Sequence, residues 1–141
     1  MSFRIETYRD ELVDRFTYYG PEEFTPEEAR ELIRTWAKLG PAFFGLDDEK
    51  VIAVAGFIEL RWNNANVWGF FNPECRKYVV RIVKEIRSAI RACRYKSLLT
   101  VVKAGGRTEK FARLFLYPVG DLPNYGPSGE KYKVFYKEII R

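Results

Sequence analysis

Phe3-Arg4-Ile5-Glu6-Thr7-Tyr8 alternates between apolar and polar residues with period two, the mark of a half-buried strand. Arg9–Tyr18 then carries Leu12, Val13 and Phe16 at helical spacing, and Gly20-Pro21 closes that unit. Thr25-Pro26-Glu27-Glu28 reads as a capping box with proline at the first helical position, and Ala29, Leu32, Ile33 and Trp36 form the stripe that such a helix buries before Gly40-Pro41 stops it. Ala42–Leu46 and Val51–Leu60 are apolar runs separated by Asp47-Asp48-Glu49-Lys50, which predicts a hairpin. Residues 51–58 have no polar side chain on either parity, so that strand is expected to be central and covered on both faces. Asn63-Asn64-Ala65-Asn66 is expected to turn the chain into a third strand, Val67–Phe71.

A long helix follows. Asn72 suits the N-cap, Pro73 the first helical position and Glu74 the positive end of the helix dipole. Val79, Ile82, Val83, Ile86, Ile90 and Cys93 fall on one stripe. The return strand is Ser97–Val102, and a helix between parallel strands is the crossover that parallel neighbours require. Gly105-Gly106 leads into a helix over about residues 107–116 with Phe111, Leu114 and Phe115 on one face; residues 118–129, rich in Gly, Pro, Asn and Asp, are expected to be turns. Lys131–Ile140 alternates again as a final strand, with Tyr132, Val134 and Tyr136 on one side, Phe135 and Ile139 on the other, and lysines that suit an edge. The order β-α-α-β-β-β-α-β-α-β predicts an α+β fold, a central mixed sheet with helices on both faces, as one domain over residues 1–141.

Charge singles out the crossover helix. Residues 76–96 hold eight cations against Glu85 alone, a net of +7 in a chain whose total is +5. Lys77, Arg81, Lys84, Arg87, Arg91 and Arg94 fall on the face opposite the apolar stripe. A row of cations of this kind suits phosphates or an acidic protein surface.

The absence of histidine excludes Ser-His and Cys-His nucleophile pairs and removes the commonest metal ligand. Cys75 and Cys93 on one predicted helix are too far apart to bridge, about 27 Å by helical rise, and make no metal site. No apolar run approaches the roughly 20 residues that cross a bilayer, and the opening Met-Ser-Phe-Arg-Ile has no signal-peptide character, so a soluble, unexported protein is expected. Abundant Glu, Lys and Arg with no glutamine is a thermophile-like composition.

Strand, two helices, a three-strand meander, crossover helix, strand, helix and closing strand together resemble the Gcn5-related N-acetyltransferase (GNAT) superfamily, with a local echo in Phe111-Ala112-Arg113-Leu114-Phe115-Leu116-Tyr117. Pro123-Asn124-Tyr125-Gly126-Pro127-Ser128-Gly129 followed by Phe135 is similar to a divergent subset encoded by short-tailed bacteriophages, which includes internal virion proteins. The resemblance implies acetyl-CoA entering between Val67–Phe71 and Ser97–Val102, beside Phe70, Phe71 and Asn72, with amides after the first strand and Arg76 and Lys77 near the pyrophosphate. The family segment resembles Gln/Arg-x-x-Gly-x-Gly/Ala, whereas Asn72-Pro73-Glu74-Cys75-Arg76-Lys77 has no glycine, loses one donor to Pro73 and places Glu74 where a pyrophosphate would sit. Ala112 stands where many members carry a tyrosine that protonates the leaving thiolate; Glu59 is the one candidate for a base on the meander, and Tyr95, Tyr117 and Tyr125 are alternative acids.

Two functions follow from these residues. The first is a catalytically degenerate GNAT-like module, virion-associated or cytoplasmic in a host cell, that binds nucleic acid or an acidic phage or host protein through Arg81, Lys84, Arg87, Arg91 and Arg94. The second is an active acetyl-CoA-dependent N-acetyltransferase with an atypical pyrophosphate loop, working mainly by positioning its amine substrate.

Overall fold

The computed structural model describes residues 3–18 and 24–140, so the expected stop at Gly20-Pro21 lies outside the described residues. The elements run β1 (Phe3–Thr7), a 3-10 turn (Asp10–Arg15), α1 (Pro26–Ala37), β2 (Ala42–Asp47), β3 (Lys50–Glu59), a 3-10 turn (Arg61–Asn63) and β4 (Asn64–Phe71). A 3-10 segment (Pro73–Tyr78), α2 (Val79–Ala92), β5 (Ser97–Lys103), α3 (Arg107–Ala112), β6 (Tyr117–Leu122) and β7 (Tyr132–Glu138) complete the order. The strands form one mixed sheet in the order β1-β2-β3-β4-β5-β7-β6. The chain divides into two compact units: residues 3–59 with 67–86, and residues 60–66 with 87–140.

In the first unit β2 and β3 form the predicted antiparallel hairpin, with β1 antiparallel to β2. Leu12, Val13 and Phe16 reach the core as expected, although a six-residue 3-10 turn, with Phe16 as the extended residue that follows it, stands in place of an α-helix. Phe44 and Leu46 pack with these residues and with Ala29 and Ile33 of α1. The opposite parity of β2 meets another layer: Gly45 faces the Phe3 ring, which stacks on Tyr78 at 5.0 Å. Side chains from Val51 to Ile58 are buried or half-buried, as a central strand requires. Of the α2 stripe, Ile82 is buried and Val83 and Ile86 are half-buried, but Val79 is exposed. Val79 is the first residue of α2, at the end of the stripe.

The parallel strand pairing lies in the second unit. β4 and β5 are parallel, but they pair through Asn64↔Ser97, Ala65↔Leu98 and Asn66↔Leu99, so the asparagines expected in a turn begin the strand. Asn64 earns that place through its side-chain oxygen, which accepts the Ser97 hydroxyl. Residues 118–122, expected to be turns, belong to β6, and β7 is paired on both sides, with β5 and with β6, rather than lying at an edge. β6 takes the edge instead, where Pro118 and a bulge between Pro118 and Gly120 are tolerated. The motif Pro123–Gly129 builds the β6–β7 connection: the amides of Tyr125 and Gly126 donate to the Glu130 carbonyl, and Asn124 and Gly129 have positive φ. α3 ends at Ala112, four residues short of expectation, so Ala112, Phe115 and Leu116 are buried while Leu114 turns outward.

Candidate anion-binding site

The turn after β4 is built by Asn72, one of the two buried polar residues among those described. Its side-chain oxygen accepts the Glu74 N–H at 2.9 Å, its carbonyl accepts the Cys75 N–H at 2.9 Å, its own N–H donates to the Ile52 carbonyl at 2.8 Å, and its amide nitrogen donates to the Thr17 carbonyl at 3.1 Å. Pro73 has no N–H. Every main-chain donor from Asn72 to Cys75 is therefore used by the protein itself. Glu74 turns to Lys50 in an ion pair. The Cys75 thiol donates to the Ile52 carbonyl at 3.1 Å, and burial pushes its pKa up to about 11, against the lowering effect of the Asn72 hydrogen bond, so it is not a nucleophile at neutral pH. This turn does not fit a pyrophosphate held by main-chain amides.

What the turn offers an anion is side chains. Arg76, Lys77, Val79, Val80, Arg81 and Lys84 line a shallow groove of about 520 Å³ beside Tyr78. Arg81 is held in place: it pairs with Glu85 at 3.3 Å, donates to the Phe3 carbonyl at 3.4 Å and lies 5.6 Å from the centre of the Phe3 ring. The Tyr78 hydroxyl donates to Asp47 at 2.8 Å, and desolvation with that acceptor raises its pKa. No glycine stands between Asn72 and Lys84, so side chains along this stretch prevent the close main-chain approach that glycine permits.

The other expected site residues divide. Phe70 is core: Trp36 stacks on it at 5.9 Å, and Tyr18 and Phe24 meet it edge-on. Phe71 is half-buried, over Gly69. Glu59 is exposed at the end of β3. Ala112 and Tyr95 are buried, whereas Tyr117 and Tyr125 are exposed. The cations expected as one row line two separate grooves: Arg81 and Lys84 belong to the groove just described, while Arg87 and Arg91 line another in the second unit with Tyr117, Tyr136 and Ile140. Arg94 is exposed, and its carbonyl accepts from Asn63.

No protein-family profile matches the sequence, and no curated protein matches it. Solved structures do. A putative phosphinothricin N-acetyltransferase is 16% identical, with 99% of this chain and 100% of that chain covered at a TM-score of 0.76. Ard1 from Thermoplasma volcanium is 12% identical, with 100% of both chains covered at 0.71. An acetyltransferase of the GNAT family from Streptococcus pneumoniae is 10% identical, with 99% and 100% covered at 0.71. At these identities the likeness is one of fold: the chain has the fold of GNAT N-acetyltransferases.

Proposed function

We propose that this protein is a binding module on the acetyltransferase fold, which takes the phosphate backbone of a nucleic acid along Arg76, Lys77, Arg81 and Lys84 and transfers no acetyl group. The observation that carries the reading is the closed turn at Asn72–Cys75, whose amides the protein uses itself, next to a groove where four cations are presented. Such a groove holds phosphates through side-chain charge, which suits a repeating polyanion and needs no single fixed pyrophosphate geometry. The phage resemblance of Pro123–Gly129 extends the proposal to a virion-associated setting, where packaged genome is the polyanion at hand.

Fluorescence anisotropy with labelled duplex DNA and RNA across a salt series tests this. Log affinity should fall linearly with log salt, and each cation replaced by glutamine should flatten the slope by roughly 0.7–0.9. Binding that is unchanged in the variant with all four replaced overturns the reading. An acidic protein partner would show salt sensitivity without this scaling on nucleic acids.

The second reading, an acetyl-CoA-dependent N-acetyltransferase, is favoured by a fold shared with N-acetyltransferases over nearly the whole chain. It requires the same cations to carry the cofactor's phosphates in place of main-chain amides. Calorimetry decides: submicromolar acetyl-CoA binding that is lost in the fourfold variant replaces the first reading with the second.

A further inference from the structure

The second unit carries an apolar groove of about 880 Å³. Leu114 after α3, Tyr117 and Val119 of β6, Tyr136 of β7 and Ile140 line it, and all five are exposed, from 39% at Tyr136 to 87% at Ile140. Apolar residues gathered in one groove mark an interaction site in a way that scattered ones do not. The backbone beside them is closed to strand addition: Pro118 has no N–H, and the bulge leaves Val119 without an opposite residue on β7. An occupant must therefore be gripped by side chains.

Charge says which kind. Arg87, Arg91 and Lys137 stand in the lining against Glu138 alone. Arg87 donates to the Leu114 carbonyl at 3.4 Å, and the Lys137 ammonium lies 5.9 Å from the Tyr117 ring centre, so two of the cations are tied to the groove's own apolar wall. Two copies meeting through this face across a twofold axis would set like charges against each other, so the face is not self-complementary. We propose that it docks an amphipathic helix of a partner protein whose apolar anchors are flanked by Asp and Glu. An amphipathic helix presents anchors at i, i+3, i+4 and i+7 to such a groove and its carboxylates to the rim.

The probe is a labelled peptide of about 15 residues with Leu or Phe at those anchor positions and Glu elsewhere, long enough to reach helical form on binding. It is compared with the same anchors on a Lys background and with a scrambled Glu peptide, each followed by fluorescence anisotropy. The Glu peptide should bind, and Leu114→Asp or Val119→Asp should each weaken it at least about tenfold. Arg91→Glu should reverse the preference toward the Lys peptide. Circular dichroism confirms that these surface variants fold. The chain with Arg76, Lys77, Arg81 and Lys84 replaced by glutamine should bind the Glu peptide as the parent does, which separates this proposal from the polyanion reading. No binding, or equal binding of the Lys or scrambled peptide, overturns it. So does sedimentation showing a dimer of the 16.6 kDa chain that Leu114→Asp dissolves, because a second copy would then be the occupant.

Discussion

Two helical segments of the first unit start from nearly the same residues, Thr25-Pro26-Glu27-Glu28 and Asn72-Pro73-Glu74-Cys75, and fold differently. At the first, Thr25 accepts the Glu28 N–H at 3.1 Å and Glu28 accepts the Thr25 N–H at 2.8 Å, a reciprocal pair on the surface that needs no other part of the protein. The α-helix begins at once. At the second, the residue three after the cap is Cys75, which has no carboxylate to reach back, and the Asn72 N–H goes to Ile52 of β3 instead. Glu74 goes to Lys50 and the Asn72 amide nitrogen to Thr17. Six residues of 3-10 helix then precede α2. A cap that is satisfied locally makes a helix; a cap that is satisfied by its surroundings makes a junction, and the same junction consumes the donors that an anion would need.

This difference can be broken experimentally. Asn72→Ala removes the cap and the side-chain partners of the part-buried Glu74 N–H and Thr17 carbonyl, so urea denaturation should show a loss of about 2–3 kcal/mol. Thr25→Ala, at an exposed cap, should cost about 1 kcal/mol in the same assay. Equal losses would mean that the two starts are energetically alike. Lys50→Gln should cost under about 1 kcal/mol, since both partners of its ion pair are partly exposed, and should leave the 3-10 segment in place. The last effect is confined to high pH. The Cys75 thiol is raised from 9.0 to about 11, so its contribution is whole below pH 9 and is lost as pH rises toward 11, where the unfolded thiol ionises first. Cys75→Ala should make the stability curve flatter across pH 9–11, and an unchanged slope would show that the thiol is not shielded by the junction.

Much of the fold was legible because each element declared its own period. The run from Val51 to Ile58 could only be a central strand, and the Thr25 box could only start a helix. What failed was whatever depended on a neighbour. β6 has the composition of a loop, and it is a strand because β7 supplies its pairing; once β6 is missed, the lysines of β7 make that strand look like an edge. Asn64–Asn66 likewise have a turn's side chains and pair because β5 lies alongside. The candidate site divides in the same way. The cations were visible in the sequence, whereas the occupied amides of Asn72–Cys75 were not, because Thr17 and Ile52 supply the acceptors from distant parts of the chain. The separation of Arg81 and Lys84 from Arg87 and Arg91 was hidden for a related reason: their surroundings, not their spacing, assign them to different grooves.

The position of β7 between β5 and β6 has a consequence for synthesis on the ribosome. β5 is complete at Lys103, but the strand that covers its other edge does not begin until Tyr132, 29 residues later. At ordinary translation speeds of about 5–20 residues per second the gap is roughly 1.5 to 6 seconds. β6 emerges within it and has no place to go, because its neighbour in the sheet is β7. Through that interval the nascent chain carries an unpaired edge of Leu98, Leu99, Val101 and Val102, a template that another nascent chain could extend. Slow decoding across residues 104–131 would lengthen the exposure, and a chaperone bound there would cover the edge.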